Sequence, residues 1–198
     1  MNFLAHLYFS DGTSESILGS LLGDFVKGRP GSEYPPAVVN GILKHRAIDT
    51  YTDAHPAVRC SKNRISPPRR RYAGILVDIF YDHFLCRHWQ RFSDVPLGDF
   101  IAAVHSAIQY YEGDLPSSFS EVLGHMIRRN WLACYQTRAG VAATIDRVAK
   151  RIRRDNPLAG GIEELDREGQ ILNDHFLEFF PQLIVYSKGF SQSRTMDS

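Results

Sequence analysis

PAVVNGILKHRAIDTYTD, residues 36–53, carries its apolar residues at helical spacing and not in alternation. At 100° per residue, Val38, Ile42, His45 and Asp49 fall on one stripe, with Thr52 and Asp53 beside it. Pro35 and Pro36 stand where a helix opens, and Pro56 follows its end. The same period governs the chain on either side of this segment. It predicts helices at 14–28, 69–91, 96–112, from Ser117 or Ser118 to Tyr135, at 139–154 and at 161–180, where Pro181 interrupts the last, with room for a short helical tail beyond it; residues 54–67 read as a loop. No alternating strand pairs and no internal repeat are visible. The expected architecture is all-α: one domain over residues 1–190, a bundle of about seven helices, with 191–198 as a frayed, disordered tail.

Composition narrows the function classes. The 198 residues are 43% hydrophobic and 23% charged, with a net charge of +1, so the molecule as a whole is no polyanion binder and any basic function must be local. Cys60, Cys86 and Cys134 are odd in number and widely spaced, which suggests neither a disulfide framework nor a thiolate zinc site. The opening MNFLAHLYFSDG lacks a basic leader region and no stretch is long and apolar enough to span a bilayer, so a soluble, cytoplasmic protein with reduced thiols is expected.

Chemistry concentrates on two helices. His45 and Asp49 occupy the apolar stripe of residues 36–53. In the segment 69–91, Asp78 and Asp82 are four apart on a stripe with Ile75, Ile79, Leu85, Cys86 and Trp89. Adjacent carboxylates among apolar neighbours repel and resist ionisation unless a cation compensates. A salt bridge, with Arg46 as the nearest candidate, is the plain explanation for any one of them. The set as a whole favours a divalent ion, since His6, Asp24, His45, Asp49, Asp78, Asp82 and His83 all lie on expected apolar faces that one bundle core can gather. His88, His105 and His125 read as ordinary. Mixed His and Asp donors suit Mn²⁺, Fe²⁺, Zn²⁺ or Mg²⁺, and such an ion makes phosphate-ester hydrolysis the natural chemistry. Lys44 or Arg46 is a candidate for stabilising transition-state charge, and Asp49 for orienting the water.

Four segments carry a family resemblance: MNFLAHLYFS at 1–10, GSLLGDFVKG at 19–28, HRAIDTYTD at 45–53 and DIFYDHFLCRHW at 78–89, supported by WLACYQ at 131–136 and HFLEFFPQL at 175–183. In this respect the chain resembles the acyl carrier protein phosphodiesterases, divergent relatives of the HD-domain phosphohydrolases. The resemblance implies an HD-domain-like bundle, Mn²⁺ dependence (with Mg²⁺, Fe²⁺ or Co²⁺ as substitutes), and hydrolysis of the phosphodiester joining 4′-phosphopantetheine to a serine of holo-acyl carrier protein. It implies metal or catalytic roles for Asp24, His45, Asp78, Asp82 and His83, with His6 and Asp49 behind them; Arg46 joins the catalytic set of Asp24, His45 and Asp49 only through the charge-stabilising role given above. The order Asp82-His83 departs from the His-Asp order of ordinary HD proteins, and Ser20 stands where the family motif has Asn.

An acidic carrier protein calls for a basic landing surface. Arg59, Lys62, Arg64, Arg69, Arg70 and Arg71 form the favoured run, leading into the Asp78/Asp82 helix; Arg147, Lys150, Arg151 and Arg154, with Arg128 and Arg129 upstream, form a second. No nucleic-acid motif is visible. Two rival functions are a nucleotide-directed HD-type hydrolase and a non-catalytic helical module for an acidic partner.

Overall fold

A computed structural model describes the backbone of residues 1–111, 113 and 115–195, and the side chains of these except 118 and 191–195. The helices in chain order are α1 (Phe3–Tyr8), α2 (Ser14–Leu22), α3 (Pro36–Ala54), α4 (Pro56–Arg64), a 3₁₀ turn at Pro67–Tyr72, α5 (Ala73–Arg87), α6 (Trp89–Phe92), α7 (Leu97–Gln109), α8 (Ser117–Arg128), α9 (Trp131–Cys134), α10 (Arg138–Arg151) and α11 (Ile162–Thr195). Among the described residues there is no strand, and no helix is long and apolar enough to cross a membrane. The all-α expectation holds, with more and shorter helices than the apolar period alone suggests.

The differences have local causes. Residues 56–64 form α4 instead of a loop, because Pro56 opens the first turn, the His55 side chain accepts from Ala57 N, and Ala57, Val58 and Ser61 turn into the core. The long helix expected at 69–91 divides into the 3₁₀ turn, α5 and α6. The helix expected to reach Tyr135 stops at Arg128, and Asn130, whose φ of 45° is left-handed, starts α9. Pro181 does not end α11: Phe176, Phe179, Phe180 and Leu183 are fully buried around it, and that packing offsets a proline penalty of about 3 kcal/mol. The helix is continuous through the first part of the expected tail to Thr195, and 196–198 lie outside the described residues.

Two packing features position the site. α2 crosses α3 where glycine faces glycine. A methyl group on Gly19 would lie 2.4 Å from the Val38 carbonyl oxygen and 2.8 Å from the Gly41 Cα, so only hydrogen permits the approach. On the other side, α11 packs on α4, α5 and α3 through an aromatic core; the Tyr81 ring lies 5.4 Å from that of Phe176 and 5.7 Å from that of Phe179.

Candidate active site

The close approach of α2 and α3 puts the turn after α2 against His45. The imidazole Nδ1 donates to the Ser20 carbonyl at 2.7 Å; a carbonyl only accepts, so Nδ1 carries the proton and Nε2 faces the site. Nε2 lies 3.2 Å from Asp49 Oδ2, one turn along α3, and 3.4 Å from Asp24 Oδ1. The ring of His6, from α1, stacks on that of His45 with centroids 3.6 Å apart, and its Nε2 lies 3.1 Å from Asp49 Oδ1. The α-amino group of Met1 sits 3.4 Å from Asp49 and 3.3 Å from Asp78. Asp24, 60% exposed, marks the mouth of this cluster, while His6 and His45 are buried.

The protonation states are set by these neighbours. Burial opposes charge on His45, but Asp24 and Asp49 outweigh it and raise the imidazole to about 9. Burial drives His6 down to about 4, and the positive His45 stacked on it adds to the effect against Asp49. Asp49, though itself opposed by burial, is held far below the ordinary carboxylate range by the two histidines and the Met1 amine. Asp24 is lowered chiefly by its bond to His45. The Met1 amine overcomes burial through Asp78, Asp49 and Asp82, and stands at about 10.

These residues fit a divalent cation. One donor atom each from His6, His45 and Asp49 lies within 4.8 Å of the others. Neither ring nitrogen of the buried His6 has a hydrogen bond, although Nε2 is close to Asp49; an orphaned, neutral imidazole is costly as structure and useful as a ligand. Asp24 and Asp49 flank the His45 Nε2, and Asp78 meets the cluster through the Met1 amine.

Other expected site residues are placed elsewhere. Asp82 is fully buried and accepts from the backbone amides of Leu4 at 2.8 Å and Ala5 at 3.1 Å, so it anchors the first turn of α1. Burial pushes it up to about 7 against those amides. His83 turns away, with Nδ1 donating to the Tyr135 carbonyl at 2.7 Å. Arg46, one residue and 100° beyond His45, donates to the carbonyls of Gly28 and Val26, at 2.6 Å each, and pins the loop after α2. Lys44 donates to the Phe9 carbonyl at 2.6 Å.

Much of the basic run at 59–71 is also engaged. Lys62 pairs with Asp53, Arg64 with Glu168, and Arg69 with Glu163 and Glu164; Arg70 donates to the Ile65 carbonyl and Arg59 to that of Asp53. The run chiefly clamps α11 to the 3₁₀ turn and α4, since most of its acidic partners sit on α11. Arg71 is exposed.

Besides the Met1 α-amine, two contributors escape a reading of polar side chains. Gly23 faces the His45 ring, and a methyl group there would lie 2.2 Å from Cγ. Ser20 contributes its carbonyl, a role any residue at that position can fill. The glycine in GDF is the only sequence signal for the first.

The family model described as acyl carrier protein phosphodiesterase matches residues 1–183. The chain is 36% identical over 189 residues to the acyl carrier protein phosphodiesterase of Enterobacter sp. (strain 638), covering 95% of this chain and 98% of that one. The protein of the same name from Serratia proteamaculans (strain 568) gives the same figures, and that from Yersinia pestis is 36% identical over 185 residues, 93% of this chain and 96% of the relative. No solved structure matches.

Proposed function

The chain belongs to the acyl carrier protein phosphodiesterase family, and from that membership we propose that it hydrolyses the phosphodiester linking 4′-phosphopantetheine to holo-acyl carrier protein, with a divalent ion, Mn²⁺ for preference, held by His6, His45 and Asp49. The observation that carries the metal-dependent part of this reading is the orphaned His6 imidazole stacked on His45 above Asp49.

The electrostatics support it. A phosphodiester is an anion, and the carboxylates of Asp24 and Asp49 beside His45 would repel it unless a further positive charge joined them. Held by His6, His45 and Asp49, a divalent ion would supply that charge, together with polarisation of a phosphoryl oxygen and a lowered pKa for bound water. The remaining work falls to the chain. The Ser20 carbonyl holds Nδ1 of His45 and leaves Nε2 facing Asp24 and Asp49, where it would be free to ligate. Asp24, at the mouth, accepts a hydrogen bond from the attacking water and orients it toward phosphorus. Asp78 joins Asp49 through the Met1 amine that both contact, and the burial of His6 and His45 keeps bulk water from the inner side.

Intact-mass spectrometry of holo-carrier protein incubated with the enzyme and Mn²⁺ tests the proposal. Loss of the phosphopantetheine mass is expected with Mn²⁺ and not with chelator. An unchanged mass, with turnover of nucleotides instead, contradicts it.

A further inference from the structure

Two adjoining concavities open between α8, α9 and α10, and Trp131 lines both. The larger, about 530 Å³, takes in Arg129, Arg147, Lys150 and Asp146. The smaller, about 340 Å³, takes in Arg129, Arg147, Arg151, Glu121 and His125. Together they form one groove with four strong cations and two carboxylates. Among the described residues, Arg129, Arg147, Lys150 and Arg151 form no ion pair, unlike Lys62, Arg64 and Arg69 of the earlier run. One of the two carboxylates is already engaged, since Asp146 Oδ1 accepts from Gly160 N at 3.1 Å.

The groove is built and not incidental. Asn130 takes its left-handed φ of 45° at the α8–α9 corner, immediately before Trp131. The Arg147 guanidinium lies 4.8 Å from the Trp131 ring centre and donates to Thr144 Oγ1 at 3.1 Å, which fixes it in the groove wall. On its inner side Trp131 meets Phe3, with ring centres 6.3 Å apart. Phe3 opens α1, the helix that carries His6 and begins beside the Met1 amine. A partner seated on the groove therefore touches a residue packed against the start of α1, the helix that carries His6.

We propose that the Trp131-centred groove formed by Arg129, Arg147, Lys150 and Arg151 is the docking face for an acidic carrier protein, an inference that rests on the hydrolase reading above. Charge complementarity selects the partner: an unpaired cationic groove accelerates encounter with an acidic surface, and the aromatic floor adds contact area at small entropic cost. Within the 59–71 run, Lys62, Arg64 and Arg69 are already paired with carboxylates on α3 and α11, so fewer of its charges are left for a partner.

The test is fluorescence anisotropy of labelled apo-carrier protein with wild-type enzyme and with R129E/K150E/R151E, beside turnover of holo-carrier protein and of bis(p-nitrophenyl) phosphate. Charge reversal should weaken carrier binding by about tenfold or more at low salt. The gap should close near roughly 1 M salt, where the Debye length is about 3 Å. KM for holo-carrier protein should rise with kcat retained, and turnover of the small diester should not change, which also shows that the variant folds. Equal binding and equal KM for variant and wild type overturn the docking face while leaving the hydrolase reading intact. Carrier binding lost on charge reversal, with no holo-carrier turnover by wild type, supports the face and overturns the hydrolase reading. Wild type that neither binds nor converts the carrier overturns both. Single-stranded DNA binding more tightly than the carrier overturns the choice of partner.

Discussion

His45 and Asp49 stand one turn apart on α3, with Nε2 of the imidazole 3.2 Å from Oδ2 of the carboxylate, and the same carboxylate reaches His6 from α1 through its other oxygen. Asp49 thus joins two histidines that approach it from different helices. It keeps a proton on His45 in the absence of metal, and that proton must leave before Nε2 can ligate.

Metal binding should therefore depend on pH in a defined direction. His45 stands at about 9, above its ordinary value, so below that pH each unit of increase should tighten Mn²⁺ binding by about tenfold. His6, at about 4, is already neutral and contributes no proton above about pH 5. Calorimetry in buffers of different ionisation enthalpy should find about one proton released per ion near pH 7. Affinity that is flat between about pH 6 and 8 contradicts the assignment.

Gly23→Ala should damage activity more than stability. The added methyl meets the His45 ring, which can yield only by leaving its bond to Ser20. A displacement of this kind costs on the order of 10²-fold in kcat. Gly19→Ala meets backbone instead, and should lower stability by about 1–3 kcal/mol through forced separation of α2 and α3. Paired kinetics and thermal melts distinguish the two.

Asp82→Asn tests whether Asp82 anchors α1 or binds metal. As an anchor of the Leu4 and Ala5 amides it should lose about 1–3 kcal/mol of stability, because an amide offers one acceptor oxygen where two are used. Mn²⁺ stoichiometry measured below the melting range should be unchanged. Lost stoichiometry in a folded variant would make Asp82 a ligand.

Glu164 gives a stability prediction remote from the site. It is buried under the 3₁₀ turn; burial works against its charge, but Ser66, Arg167 and Arg69 outweigh it and hold it at about 2. A carboxyl lowered in the folded state stabilises above its unfolded value, near 4.5, and that contribution is lost as pH falls from there to about 2. With Arg167 half exposed, and so screened by solvent, the contribution is on the order of 2 kcal/mol. Glu164→Gln should flatten the acid limb of a Tm-against-pH profile, and an unchanged limb would place the acid sensitivity elsewhere.

The fold class was legible because apolar period 3.6 runs through almost the whole chain, and so were the stripes of His45 with Asp49 and of Asp78 with Asp82. Side-chain destinations were not. Periodicity places Asp82 on a buried face but cannot say that two amides of α1, 77 and 78 residues away, meet it there. The basic run at 59–71 reads as a free surface until α11, about a hundred residues later, brings Glu164 and Glu168 against it. Helix ends at Asn130 and His88 were lost for a simpler reason: neither carries the proline or glycine that marks a break in sequence, and tertiary packing decides the turn.

Intact-mass spectrometry of holo-carrier protein, incubated with Mn²⁺ and either wild-type enzyme or Asp49→Asn, shows whether the cluster of His6, His45 and Asp49 removes the phosphopantetheine arm. Wild type should convert the carrier to the mass of its apo form, and the variant, folded but lacking the carboxylate shared by His6 and His45, should leave it at the holo mass. Conversion at the wild-type rate by Asp49→Asn, or no conversion by wild type, would contradict the account.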